Sequence, residues 1–235
     1  MTRAPLAALA LLAAGTAACT GDIDPPWQLD HDRIVAVRAE PPAIPVGRTS
    51  QIDVLLAQKG GTTSVAAPDG VAVVTPASLS DVVSRSSGNW VVTAPSEDRL
   101  AAARAELKLD AGAPVPLQIG VQYMAKKLFA VKTIELGRSA DNPGLAGMAP
   151  MIDGKAAGEA EIAVGKLVKV PLSVNADDAA FDVAWLTSCG TMHDFDLPTA
   201  YLKVETDDPD AGQLAVVVRD GHGGVSWQIW PIHAE

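Results

Sequence analysis

The sequence predicts a mainly β chain of two β-sandwich domains in tandem, the first with a short inserted helix, and three observations predict it. The chain repeats itself: Ile44-Pro45-Val46-Gly47-Arg48 is followed by Ile52, Val54 and Leu56, and Ile162-Ala163-Val164-Gly165-Lys166 by Val170, Leu172 and Val174, at a constant offset of 118 residues. Each copy reads as a short edge segment, a glycine turn, and a strand whose period-2 apolar residues share one face. Val115, Leu117, Ile119, Val121 and Tyr123 alternate with Pro116, Gln118, Gly120 and Gln122, the pattern of a half-buried strand. Both halves end in a hairpin. Lys126-Lys127 turns the chain into Leu128 to Leu136, and Asp220-Gly221-His222-Gly223-Gly224 joins the Val-rich Gln213 to Arg219 to Val225, Trp227 and Ile229.

The elements follow in order. Arg3, the Ala/Leu run from Leu6 to Ala18, and Thr16-Ala17-Ala18-Cys19 have the layout of a secretory signal (1–18) ending in a lipobox, with Cys19 as the residue to be acylated. Thr16 stands where such signals usually carry Leu, so an ordinary signal cut near Ala18 stays open as the alternative. The apolar run is too short to span a bilayer. Residues 19–31, acidic and broken by Pro25 and Pro26, suit a tether to the first domain, 32–137. Inside that domain Ser96 caps a helix, Glu97 and Asp98 favour its positive end, Leu100, Ala103 and Leu107 share a face, and Gly112 stops it. Gly, Asn142 and Pro143 mark a linker at 138–147, and the second domain is 148–235.

Charge and cysteine content exclude several classes. The net charge of −10 becomes about −11 when Arg3 leaves with the leader, and no basic cluster exists to replace counterions on nucleic acid or anionic lipid. Of 2 cysteines, Cys19 goes to lipid, so Cys189 has no disulfide partner and burial of the 48% apolar residues must hold the fold.

Little in the chain reads as catalysis. Cys189 and His193 lie four residues apart, without a third group or an oxyanion donor, so Cys189 reads as a small buried residue. Ser84 to Ser87 lacks a nucleophile-elbow frame, and Gly221 to Gly224 has neither the lysine nor the helix of a phosphate loop. A metal site is the stronger candidate. Asp177 and Asp178 precede the Trp185 strand, Asp220 and His222 sit in the last hairpin, and in a sandwich those loops open at one end, where they could meet calcium or a transition metal. His193, Asp194 and Asp196 would face Asp207, Asp208 and Asp210 at the other end; solvated acidic turns are the alternative for both sets. Trp185 and Trp227 fall in phase with Val183 and Ile229 and read as core. Trp230, out of phase, and Trp27, in the tether, are the candidates to bind a partner or a glycan, with packing against the sister domain as the other use of Trp230.

Val170 to Val174, Phe181 to Trp185, and Leu214 to Trp227 with its Asp-Gly-His-Gly-Gly hairpin resemble a bacterial-surface immunoglobulin-like domain, near the polycystic-kidney-disease and cadherin-like groups. With its leader, the whole chain is similar to lipoproteins of δ-proteobacterial type, a resemblance that implies an address without an activity. Lipoproteins usually need Asp after the lipidated cysteine to stay in the inner membrane, and Thr20 stands there, so the resemblance implies the outer membrane. The expected function is a lipid-anchored, non-enzymatic binding or spacer module of the cell envelope, without nucleic acid or a required cofactor. The alternatives are a subunit of an outer-membrane complex and an accessory domain of a glycan-processing enzyme.

Overall fold

The computed structural model describes residues 24–123, 125, 127–158, 161–177 and 180–235, so the leader, Cys19 and Asp178 lie outside it. The first sandwich runs β1 (Arg33–Glu40), β2 (Ala43–Ile44), β3 (Thr49–Gln58), β4 (Thr62–Ala66), β5 (Gly70–Thr75), β6 (Val83–Ser86), β7 (Asn89–Thr93), α1 (Glu97–Leu107), β8 (Val115–Tyr123) and β9 (Leu128–Leu136). A short α2 (Leu145–Met148) leads to β10 (Met151–Ile152), β11 (Lys155–Ala156), β12 (Ile162–Val164), β13 (Lys169–Ser173), β14 (Phe181–Thr187), β15 (Thr191–His193), β16 (Thr199–Lys203), β17 (Ala211–Asp220) and β18 (Val225–Ala234).

The two halves share one strand order. β1-β3-β7-β6 packs on β2-β9-β8-β5 in the first, and β10-β13-β16-β15 on β12-β18-β17-β14 in the second, with β4 added beside β3 and β11 beside β10. This is the immunoglobulin-like arrangement. The 118-residue repeat is the switch by which the chain leaves one sheet for the other. In both halves the short strand pairs parallel to the last strand of its own sandwich, Ile44 with Leu136 and Ile162 with Ile232. In both, the turn that follows is held by the residue after the third strand of the facing sheet, Ala94 N–H donating to the Arg48 carbonyl at 2.9 Å and Leu167 N–H to that of Val204 at 2.8 Å.

Each sandwich has its own core. Ile52, Val54 and Leu56 pack with the inward residues of β8 and β9, and Val170, Leu172 and Val174 with Val183, Trp185, Val216 and Trp230. Helix α1 lies in the connection from β7 to β8 and buries Leu100 and Ala103. It stops earlier than Gly112: Lys108 takes the left-handed conformation at φ +57° and closes the helix, while Gly112 belongs to the next turn. Arg104 fixes the end, its Nε donating to the Ala113 carbonyl at 2.6 Å while Nη1 meets Glu97 at 2.5 Å.

A third core joins the sandwiches. Ala36, Leu55 and Ala57 on the outer face of β1 and β3 pack against Leu186, Ala215, Val217 and Val225 on the outer face of β14, β17 and β18, with Leu29 among them. This corrects the expectation for residues 24–31, which are docked rather than a free tether. Leu29 N–H donates to Thr187 O and Thr187 N–H to Trp27 O, each at 2.9 Å. The reason is hydrophobic: Leu29 is fully buried in the seam, and Trp27 lies half-buried against the second core. The linker is engaged too, because Asn142 Nδ2 donates to Ala39 O at 2.9 Å while its Oδ1 accepts Val225 N–H at 2.8 Å.

Candidate functional site

The last strand reverses the expected roles of its tryptophans. Trp230, Ile232 and Ala234 face the second core, whereas Val225, Trp227 and Ile229 face the first sandwich. Trp230 is fully buried, with Nε1 donating to the Gly158 carbonyl at 2.6 Å, so it offers no surface to a partner. Trp227 makes the inter-sandwich contact instead. Arg38 and Asp53, paired across β1 and β3, form a two-pronged ion pair at 3.2 and 2.7 Å, and the guanidinium lies 4.3 Å from the centre of the Trp227 ring. An aromatic face held against a cation adds attraction where the seam is partly dry.

The described residues of the acidic loops are engaged in structural contacts. Phe181 pairs with Asp220, so the turn carrying Asp177 and the last hairpin do open at one end. Asp220 Oδ1, however, accepts N–H groups from His222 at 2.8 Å and Gly224 at 2.6 Å, which folds the hairpin around the carboxylate. The His222 imidazole points to Glu135 of the other sandwich, 3.6 Å away, and the Asp177 carbonyl accepts the N–H groups of Ala180 and Phe181. Among the described residues no three His, Cys, Asp or Glu side chains gather as a metal site. At the other end His193 stacks on Tyr201 with centroids 4.4 Å apart, Asp210 holds Lys166 at 2.5 Å, and Asp208 Oδ2 accepts the N–H of Glu205 at 2.7 Å.

Cys189 is buried, its Sγ donating to the Pro209 carbonyl at 2.9 Å. Burial pushes its pKa up, and nearby Asp208 and Asp210 push the same way against Lys166, the reverse of what a thiolate nucleophile needs.

What the alternation left unread is the hairpin pocket. The hairpin Asp220–Gly224 leans on β9 and encloses, with Ile34 to Val37 of β1, an open crevice of about 480 Å³ between the sandwiches. Lys132 stands in an inward phase of β9, between Ala130 and Ile134, and donates its ammonium to the Gly223 carbonyl across the seam. Burial pulls its pKa down to about 8; Asp220 and Asp53 oppose the shift and Arg219 adds to it. A charged residue within the apolar phase Leu128, Ala130, Ile134, Leu136 was the available signal. Gly223 is required here, since its φ is +92° and a Cβ would fall 2.6 Å from the Thr133 carbonyl.

A second hairpin closes the far end of the seam in the opposite sense. The tip between β3 and β4 reaches the second sandwich, where Thr63 donates N–H at 2.6 Å and Oγ1 at 2.7 Å to Gln213 Oε1. A Cβ on Gly61 would fall 2.9 Å from that of Ser188, so this tip also needs glycine. The site as a whole is a joint whose two ends are clasped by reciprocal hairpins.

No family model matches the chain, and no curated protein matches it. Among solved structures it is similar to the N-terminal Ig1-2 module of the Drosophila receptor protein tyrosine phosphatase DLAR, at 10% identity and a TM-score of 0.30 over 85% of this chain and 98% of that one. It is similar to the human desmocollin-1 ectodomain at 11% identity and a TM-score of 0.26, over 87% of this chain and 37% of that one. A nucleoside hydrolase-related hypothetical protein from Saccharophagus degradans, associated with carbohydrate metabolism, matches at 10% identity and 0.31, over 41% of this chain and 26% of that one. Likeness at these scores carries no argument about activity.

Proposed function

We propose that this chain is a lipid-anchored, non-enzymatic module of the bacterial cell envelope, held in the outer membrane through Cys19, in which two immunoglobulin-like sandwiches act as one stiff binding or spacing body. The joint carries the reading. Tandem domains flex by default, but a shared apolar seam, a cation–π contact and two hairpin clasps oppose bending here. A body of fixed span suits a spacer or a presenter of a surface. The side chains with nucleophilic or ligating chemistry support the same reading, because Cys189, His193 and Asp220 are engaged in structural contacts. Replacing Cys19 with Ser tests the address: the protein should move from the membrane pellet to the soluble fraction, and a Ser variant that still pellets overturns the lipid anchor. Crosslinking in intact membranes then separates a complex subunit from a free module.

The accessory-domain alternative is favoured by one feature, the crevice that brings Glu135, Asp220 and His222 to one opening. Retention of cell-wall glycan by the purified protein, lost in Glu135→Gln, would shift the reading to that class.

A further inference from the structure

On the reading that Cys19 carries lipid, the docked N-terminal segment decides which end of the molecule meets the membrane. A tether free as far as residue 31 would reach about 43 Å, longer than the ten-residue β3 at about 34 Å, and would favour neither end. With Trp27 to Leu29 pinned on Thr187 and the carbonyls of Pro25 and Pro26 held by Gln28 N–H and Arg33 Nη1, only the six steps from Cys19 to Pro25 remain, at most about 22 Å. The lipid therefore cannot reach the opposite end of β3. The pinned segment lies at the end that holds the β3–β4 tip, since Asp32 accepts the N–H of Lys59 at 3.1 Å and Gly61 abuts Ser188, next to Thr187.

The same end carries an exposed apolar turn. Ser188 lies against Gly212, Cys189 is bonded to Pro209, and Asp210 to Lys166, which places Leu167 and Val168 there, 60% and 52% exposed. Isolated exposed aliphatics are ordinary; two adjacent ones on the end nearest a lipid anchor have an apolar phase within reach. Asp207, Asp208 and Asp210 flank the turn, so charge does not hold this end to an anionic surface.

We propose that the end formed by the β3–β4 tip, the docked segment and the Lys166–Val168 turn faces the leaflet holding the Cys19 lipid, and that the short length of chain between Cys19 and the docked segment imposes this orientation. The test places a fluorophore on Lys59→Cys or, at the opposite end of β3, on exposed Arg48→Cys, in the full lipidated chain on phosphatidylcholine vesicles bearing nitroxide headgroups. The unsubstituted protein, with Cys189 buried, supplies the background. Quenching should be several-fold stronger at Lys59 than at Arg48. Equal quenching, or more at Arg48, overturns the orientation while co-sedimentation with vesicles upholds the anchor. Failure to co-sediment overturns the anchor and the orientation with it. Inserting about ten Gly/Ser residues after Thr20 should erase the difference without releasing the protein. A difference that survives the insertion overturns the tether as its cause.

Discussion

β8 and β17 are the same strand of the two sandwiches, yet one alternates and the other is apolar on both faces from Leu214 to Val218. In β8 the inward Val115, Leu117, Ile119 and Val121 are buried while Gln118 and Gln122 stand in water. In β17 Leu214, Val216 and Val218 face the second core, and Ala215 and Val217, equally buried, face the other sandwich. Water on one side writes a period of two into a strand; a neighbour on both sides erases it. The difference teaches where tandem sandwiches are fused.

The comparison breaks most sharply at the two tryptophans of β18. Trp230→Ala should cost about 3–5 kcal/mol in urea unfolding, as a fully buried core residue, and Trp227→Ala about 1–2 kcal/mol, as a half-buried seam residue. Equal losses would mean that the seam is as tightly packed as the core. Lys132 gives the next effect, through pH. Its folded pKa of about 8 lies below the ordinary 10.5, so between those values the unfolded chain binds more protons and stability rises with pH. Below pH 8 both states hold the proton and the burial penalty is constant. Wild type should gain up to about 3 kcal/mol between pH 8 and 10.5, a rise that Lys132→Met lacks. Parallel stability curves for the two proteins would place the ammonium in water.

Smaller still, Leu29→Ala should cost about 2 kcal/mol, because a buried side chain leaves the seam; a free tether predicts no change in melting temperature. Gln118→Ala, on the wet face of β8, should stay within about 0.5 kcal/mol of wild type. A larger loss there would reveal a covered face where the structure has none.

Much of the fold was legible because each sandwich is built from local signals. The switch turns at Val46-Gly47 and Val164-Gly165, the β8 alternation and the last hairpin are all written in neighbouring residues. Helix α1 was legible for the same reason, and its end was misplaced because Lys108 adopted the left-handed conformation without being glycine. The joint was not legible in this way. Trp227 reads as the core of its own sandwich, and Arg38, Lys132 and Gln213 have no assigned partner until the other sheet is in place, while the Asp220 hairpin reads as a cation loop until its own N–H groups and the first sandwich occupy it.

The sequence by itself determined that the chain folds as two β-sandwiches with a helix in the first, since periodicity and turn chemistry act over a few residues and need no distant partner. Only the tertiary structure decided which face of β18 is core, that residues 24–31 are docked, and that the two hairpins clasp across a shared seam. The physical reason is that a strand with two apolar faces has two equally good inward sides, and the surface that arrives on the other side of it is coded more than a hundred residues away.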